Sequence, residues 1–251
     1  MALVRCEFFS TTLQLGTSMS VLLPDEPVRG AEYPTLYLLH GLGDDDTAWT
    51  RYTAIERYVE PLRLAVVMPQ VHRSFYTDEV SGGRFWTFLS EELPEVAGGY
   101  FRLSDRPADT FVAGLSMGGY GAVKWALRRP GRFAAVATLS GALDLAARQR
   151  APRPENVEWL DRVWGGRPIA GTDDDLFALL DRGTPPPLYL ACGTGDHLYE
   201  ENVRFRDRCR ALGYPVTVDF GPGEHEWAYW DRVIQDVLAW LPLPDPPAVA
   251  R

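Results

Sequence analysis

Short apolar runs recur along the chain and alternate with segments of helical periodicity. A run such as Thr35–His40, which is mostly apolar, is typical of a strand buried on both faces of a sheet. The segments with strand character are Val4–Ser10, Ser18–Leu23, Thr35–His40, Leu64–Met68, Thr110–Ala113, Ala134–Leu139, Leu188–Ala191 and Val216–Phe220. The clearest helical patterns are Phe85–Val96, Tyr120–Arg129, Glu200–Leu212 and Trp227–Leu241. This alternation predicts a mostly parallel sheet of about eight strands with helices on both faces, and the first two strands are expected to form an antiparallel edge.

The strand rhythm continues along the chain without a segment that has the character of a linker. The 251 residues are therefore expected to form one domain. The widest gap, residues 141–187, is rich in Pro and Gly and contains a short helical pattern at Asp174–Leu180. It is predicted to be a small insertion in place of a large lid, either over the active-site edge of the sheet or as a surface excursion. The proline-rich residues 242–251 are expected to be a flexible tail.

One tight turn carries the strongest chemical signal. Residues 112–121 read VAGLSMGGYG, in which Gly114, Ser116 and Gly118 form a GxSxG pattern between an apolar run and a helical one. Strand, turn and helix in that order are the context of a nucleophile elbow, which would lift the Ser116 hydroxyl onto a helix N-terminus. Because a glycine-rich βα turn can also be purely structural, the hypothesis requires a base, an acid and an oxyanion hole elsewhere in the chain.

The base and the acid can be sought among few residues, because the chain has only four histidines. His225 lies in a Gly- and Pro-rich loop after the last predicted strand, at the same sheet edge as Ser116. The acid should follow a strand between the two. Asp196 meets this condition, and it is favoured over Asp219, which lies within a strand, and over Asp173–Asp175, which lie in the insertion.

An oxyanion hole needs two backbone N–H groups aimed at the oxygen that gains charge in the transition state. Met117, directly after the nucleophile, is expected to supply one of them. The loop after the third strand, with Gly41 and Gly43, is expected to supply the other from Leu42. His40, at the end of that strand, is then predicted to brace the loop rather than to act as the base.

Composition narrows the partners and the compartment. The net charge of −9 and a pI near 5.0 argue against nucleic acid and against an anionic membrane surface. Cys6, Cys192 and Cys209 indicate no disulfide framework and have no CxxC metal spacing, so the cysteines predict no metal site. The sequence has no signal-peptide pattern and no membrane-spanning stretch, which favours the cytoplasm. The expected partner is a small-molecule substrate, and assembly into a homo-oligomer is left open.

Together these residues give the chain a resemblance to the α/β-hydrolase serine esterases. Within them it is similar to the short-chain acyl esterases of the tributyrin esterase and esterase D type, a branch that includes S-formylglutathione hydrolases. The stretches that carry the resemblance are Leu38–Leu42, Ser74–Asp78, Glu91–Pro94, Ala113–Gly121, Cys192–Tyr199 and Glu224–Trp227. The resemblance implies the α/β-hydrolase fold and a cofactor-free serine carboxylesterase. It also implies a triad of Ser116, Asp196 and His225, with oxyanion donors at Leu42 and Met117.

Several points stay open at this stage. Phe75, Tyr76 and Trp86 either line a pocket for the acyl or alcohol group or pack in the core. The activity could also be that of an S-formylglutathione hydrolase, a carbohydrate acetyl or feruloyl esterase, or an acyltransferase. A binding protein without catalytic activity on the same scaffold is the alternative from another class.

Overall fold

Eight strands form one sheet in the order β1-β2-β4-β3-β5-β6-β7-β8. The computed structural model describes residues 1–25 and 32–244, so the predicted tail from residue 245 onward lies outside the described residues. The strands are β1 (Ala2–Ser10), β2 (Leu15–Leu23), β3 (Thr35–Leu39), β4 (Ala65–Pro69), β5 (Thr110–Leu115), β6 (Ala135–Leu139), β7 (Leu188–Gly193) and β8 (Val216–Gly221). Strand β2 pairs antiparallel with β1 and β4, and all later pairs are parallel. The predicted mostly parallel sheet with an antiparallel edge is confirmed.

Ten α-helices occur in the described part of the chain. They are α1 (Ala48–Tyr52), α2 (Ile55–Val59), α3 (Phe85–Thr87), α4 (Leu93–Tyr100), α5 (Met117–Arg128), α6 (Leu145–Arg150), α7 (Pro154–Trp164), α8 (Leu176–Leu180), α9 (Tyr199–Ala211) and α10 (Trp227–Trp240). The single helix predicted over Phe85–Val96 is α3 and the start of α4, joined by the π-helical segment Phe88–Glu92. Pro94 explains the change of helix type, because it lacks the N–H that an α-helix would donate to the carbonyl of Ser90.

Each face of the sheet carries its own apolar core. In β3, Leu36 and Leu38 point to a core built with α1, α2 and α10, whereas Tyr37 and Leu39 point to a core built with α4, α5 and α7–α9. Both sets of side chains are buried. This two-sided burial explains why the strand sequences are continuously apolar instead of alternating. Within the described residues, no helix is both long enough and apolar enough to cross a bilayer.

The segment 141–187 is fastened to α5, the helix that follows Ser116. Lys124 in α5 is fully buried, and its ammonium group pairs with Asp174 at 2.6 Å. The same ammonium donates to the Tyr76 carbonyl at 3.0 Å and to the Thr77 hydroxyl at 2.7 Å. Burial lowers the pKa of Lys124, and the neighbouring carboxylate opposes that effect. One cation therefore links the segment 141–187, helix α5 and the loop that follows β4.

Removing the partner of this buried cation should destabilise the protein strongly. Asp174→Ala leaves the Lys124 charge buried without its carboxylate, and the expected loss is about 3–5 kcal/mol in the free energy of unfolding. Urea titration measures it. The matched control is Asp173→Ala, because Asp173 is 58% exposed and makes only surface ion pairs with Arg128 and Arg182. That variant should lose less than about 1 kcal/mol, and equal losses in the two variants would contradict the assignment.

Candidate active site

Ser116 stands in a strained turn between β5 and α5. Its backbone has φ 52° and ψ −116°, a conformation that L-residues rarely adopt. Its N–H donates to the Leu139 carbonyl of the neighbouring strand β6, 2.9 Å away. A Cβ at Gly114 would overlap the Gly118 backbone, and one at Gly118 would overlap the Leu39 carbonyl oxygen. Only glycine permits this close approach of strand and helix. The GxSxG pattern therefore forms the predicted elbow, and Ser116 directly precedes the first residue of α5.

A continuous chain of hydrogen bonds begins at this serine. Ser116 Oγ lies 3.0 Å from His225 Nε2, and His225 Nδ1 lies 2.8 Å from Asp196 Oδ2. Because the ionised carboxylate can only accept, Nδ1 carries the imidazole proton and Nε2 is free to accept the serine proton. The structure thus brings together the three side chains that the sequence singled out, from turns that lie 80 and 109 residues along the chain from the serine.

The Asp196 carboxylate is fully buried, and hydrogen-bond donors contact both of its oxygens. Its Oδ1 accepts the Leu198 N–H at 2.8 Å and its Oδ2 accepts the His225 Nδ1–H at 2.8 Å, and the nearby Ser140 hydroxyl also favours the charged form. Burial opposes ionisation, but these hydrogen bonds outweigh it and hold the pKa of Asp196 below its usual range. The carboxylate is therefore charged at neutral pH and can stabilise a positive imidazolium.

Ser140 and Trp230 support this carboxylate and were not found from the sequence. The Trp230 indole N–H donates to Ser140 Oγ at 3.1 Å, and the Ser140 hydroxyl lies near the Asp196 carboxylate and helps to lower its pKa. The Trp230 ring also stands edge-on to the His225 ring, with centroids 4.9 Å apart. The sequence offered one usable signal, since Ser140 directly follows β6 at the same edge of the sheet as Ser116.

The loops that carry the acid and the base are joined through their backbones. The Gly195 N–H donates to the Gly223 carbonyl at 2.9 Å, and the Thr194 N–H donates to the Gly221 carbonyl at 2.8 Å. These bonds extend the parallel pairing of β7 and β8 beyond the ends of the strands. The separation between Asp196 and the base is therefore fixed by the sheet and not by side-chain packing alone.

His40 braces the loop beside the nucleophile, as the sequence predicted. Its ring is 1% exposed; Nδ1–H donates to the Gly41 carbonyl at 2.8 Å, and Nε2 accepts the Val71 N–H at 3.2 Å. The Tyr76 hydroxyl donates to the His40 carbonyl at 2.9 Å. Burial lowers the pKa of His40 to about 4, so the ring is neutral at neutral pH and can keep both of its hydrogen bonds.

The two expected oxyanion donors flank the serine. Gly41 directly precedes Leu42, and a methyl group placed on Gly41 would lie 3.7 Å from Ser116 Cβ. The loop that contains Leu42 therefore passes close to Ser116. Met117 is buried and is the first residue of α5, whereas the Leu42 side chain is 36% exposed. Their location is compatible with the predicted role of their N–H groups, which stays a prediction.

The three aromatic residues proposed for substrate contact are all buried and make contacts within the protein. Phe75 stacks on Trp159 with ring centroids 4.3 Å apart, and the guanidinium of Arg128 lies 4.0 Å from the Trp86 ring centroid. Tyr76 is fully buried, with its ring against Gly121 of α5, and its hydroxyl donates a hydrogen bond to the His40 carbonyl. These contacts explain the residues as packing elements, and a contact with substrate stays a prediction.

A small polar hollow adjoins the acid–base pair. Its volume is about 230 Å³, and its polar lining includes Arg148, Arg153, Asn156, His197 and Arg204. The His197 ring, 4.6 Å from the His225 ring, connects the hollow to the site. Beneath it, Glu201 is buried and accepts hydrogen bonds from the Leu143 N–H and the Arg148 guanidinium. Because its walls come from α6, α7 and α9, the hollow places part of the segment 141–187 beside the triad.

A hydroxyl, an imidazole and a carboxylate in this order at the edge of such a sheet are the groups that acyl-transfer catalysis uses. The protein is a serine hydrolase with the α/β-hydrolase fold. The chain belongs to the family described as "Putative esterase", whose model matches residues 10–241. A protein named acetyl esterase, from Caldicellulosiruptor saccharolyticus, is 30% identical over 261 residues, which cover 96% of this chain and 98% of the relative. The family and this relative identify the protein as a carboxylic ester hydrolase.

Two solved structures share the fold over nearly their whole length. FphF of Staphylococcus aureus, a fluorophosphonate-binding serine hydrolase with substrate bound, is 32% identical with a TM-score of 0.89 and coverage of 96% and 98% of the two chains. The S-formylglutathione hydrolase FrmB of the same organism, as apoenzyme, is 32% identical with a TM-score of 0.86 and the same coverage. Both agree with the sequence-based resemblance to the esterase D type.

The buried neutral His40 should make stability depend on pH. Its pKa is about 4 in the folded protein, against an ordinary value of 6.5, so the unfolded chain binds the extra proton between these pH values and stability falls as the pH is lowered. Between pH 7.5 and pH 5 the native protein should lose about 2 kcal/mol more than His40→Asn, which cannot titrate. Urea titrations at both pH values measure the difference, and parallel losses in the two proteins would argue against a neutral buried ring.

Proposed function

We propose that this protein hydrolyses esters of short acyl groups through an acyl-enzyme formed on Ser116. The observation that carries the proposal is the unbroken hydrogen-bonded chain from Ser116 through His225 to Asp196. A nucleophile, a base that can accept its proton and a buried carboxylate that orients the base are the parts that covalent ester hydrolysis requires.

In the proposed mechanism, His225 Nε2 takes the Ser116 proton as Oγ attacks the ester carbonyl. Asp196 holds the imidazole in the required tautomer and stabilises the imidazolium, while the N–H groups of Leu42 and Met117 receive the oxyanion. The imidazolium then protonates the leaving alcohol, and an acyl-enzyme remains. Water, activated by the same imidazole, attacks the acyl-enzyme and releases the acid and the free serine.

Two observations support small substrates. The relative from Caldicellulosiruptor saccharolyticus, which is similar over almost its full length, is named acetyl esterase. In addition, the hollow beside His197 is small, about 230 Å³, and has a polar lining that includes Arg153 and Asn156. A hollow of this size and polarity suits a compact, hydrated alcohol part better than a long acyl chain.

Replacing the nucleophile tests the mechanism directly. Ser116→Ala should lower kcat/KM for p-nitrophenyl acetate at least about 10³-fold, and only the contribution of the oxyanion hole and of binding should remain. The wild-type protein should form a covalent adduct with a fluorophosphonate probe at Ser116, and mass spectrometry of the labelled peptide should show no such adduct in the variant.

Ser90→Ala is the matched control. The Ser90 hydroxyl contacts Arg129, the residue that follows the last residue of α5. Because α5 starts directly after Ser116 and has twelve residues, it places this contact about 18 Å along the helix from Ser116. This variant should keep wild-type turnover within about twofold, in line with its distance from the site. Turnover that persists near the wild-type rate in Ser116→Ala would refute the proposed mechanism.

A second candidate is thioester hydrolysis of S-formylglutathione, which the likeness to FrmB supports. The triad would act in the same way on a thioester, with a thiolate in place of the alkoxide as leaving group.

A series of acyl chain lengths tests the short-chain proposal. We expect kcat/KM to be highest for p-nitrophenyl acetate and butyrate and to fall at least about tenfold for the octanoate, a loss of about 1.4 kcal/mol in transition-state binding. S-formylglutathione in the same series decides between the candidates, and a preference for the octanoate would contradict the short-chain proposal.

A further inference from the structure

His197 stands beside the acid–base pair but has no part in the proposed reaction. Its Nδ1 lies 3.5 Å from Asp196 Oδ1, and its ring stands edge-on to the His225 ring with centroids 4.6 Å apart. The His197 side chain is 51% exposed, so this side of the pair can be reached from solvent. Asp196 therefore faces two imidazoles, one through each of its carboxylate oxygens.

The three side chains form a compact set of metal-ligating atoms. One oxygen of Asp196 and one nitrogen each of His197 and His225 all lie within 4.8 Å of one another. In a tetrahedral zinc site with bonds of about 2.0–2.1 Å, the ligand atoms stand roughly 3.4 Å apart. Rotation of the exposed His197 ring can shorten the longer separations, and a water molecule can fill the fourth position.

We propose that Asp196, His197 and His225 bind a borderline first-row divalent cation, with Zn²⁺ as the representative, and that this cation reversibly inhibits the enzyme. Two imidazoles and one carboxylate are the donor set of many zinc sites, whereas Mg²⁺ and Ca²⁺ prefer sites built from oxygen alone. No spacing pattern in the sequence marks this site, because its ligands come from two different loops.

Inhibition follows from the tautomer of His225, a step that rests on the proposed function. In the resting site the Nδ1 proton points to Asp196 and Nε2 faces Ser116. A cation on Nδ1 requires that nitrogen to be free of its proton, so the neutral ring carries the proton on Nε2 instead. The imidazole then presents an N–H to Ser116 Oγ and cannot accept the serine proton.

The first experiment measures inhibition by Zn²⁺ at buffered free concentrations, with p-nitrophenyl acetate as substrate and Ser116→Ala as the blank for metal-catalysed hydrolysis. The wild-type enzyme should be inhibited, and a chelator should restore its activity, while Mg²⁺ at the same concentrations should leave the rate unchanged. His197→Gln should raise the half-inhibitory Zn²⁺ concentration at least tenfold, since it removes one of three protein ligands. Equal sensitivity of the wild type and His197→Gln would overturn the proposal.

The matched control is His72→Gln, which removes an exposed histidine in the loop after β4 whose ring contacts Phe85. Its Zn²⁺ sensitivity should equal that of the wild type. If His72→Gln weakens inhibition as much as His197→Gln does, the effect is a general surface one and the proposed site is wrong.

A second experiment separates the metal site from catalysis. Ser116→Ala keeps all three ligands, so calorimetry should show one equivalent of Zn²⁺ bound, and adding His197→Gln should weaken this binding at least tenfold. This result supports the site even if Ser116 proves not to be the nucleophile. Absence of Zn²⁺ binding by Ser116→Ala would overturn the site whatever the esterase assays show.

Discussion

The ionised, buried carboxylate of Asp196 is the group on which the arrangement of the site depends. Removed from water, it keeps its charge because the His225 imidazole and the Leu198 N–H donate to it and the Ser140 hydroxyl nearby favours the charged form. Each donor comes from a different loop at the carboxyl edge of the sheet, so the carboxylate can be satisfied only when those loops are in place. Correct assembly of the fold and correct orientation of the His225 ring are therefore one requirement.

Main-chain geometry supplies the accuracy that such an arrangement needs. The elbow fixes Ser116 through a strained backbone and two glycines that allow close packing. The hydrogen bonds from Gly195 to Gly223 and from Thr194 to Gly221 fix the Asp196 and His225 loops relative to each other. Side chains only complete the alignment, which fits the principle that sites built on regular elements position their groups more accurately than isolated loops do.

The features that could be predicted from the sequence are those that depend on hydrophobic periodicity and on the order of elements along the chain. Two-sided burial makes strands such as β3 continuously apolar, and the positions of Ser116, Asp196 and His225 follow from the rule that parallel strands end at one edge. The Lys124–Asp174 pair was not predicted, because it joins residues 50 positions apart through an insertion whose packing has no periodic signal. Ser140 was missed for a similar reason, since its role depends on Trp230, which arrives from the last helix.

The location of His197 beside Asp196 and His225 explains why the proposed catalytic site would be sensitive to a divalent cation. An orienting carboxylate must be desolvated, charged and close to an imidazole nitrogen, and a charged carboxylate beside an imidazole is also a good pair of ligands for a borderline cation such as Zn²⁺. In the resting site the proton on His225 Nδ1 occupies the position that a cation would need. A second imidazole changes this balance, because it adds a ligand that contributes nothing to the proton relay. In the proposed metal site, competition between a proton and a cation for His225 Nδ1 would decide whether His225 can accept the Ser116 proton.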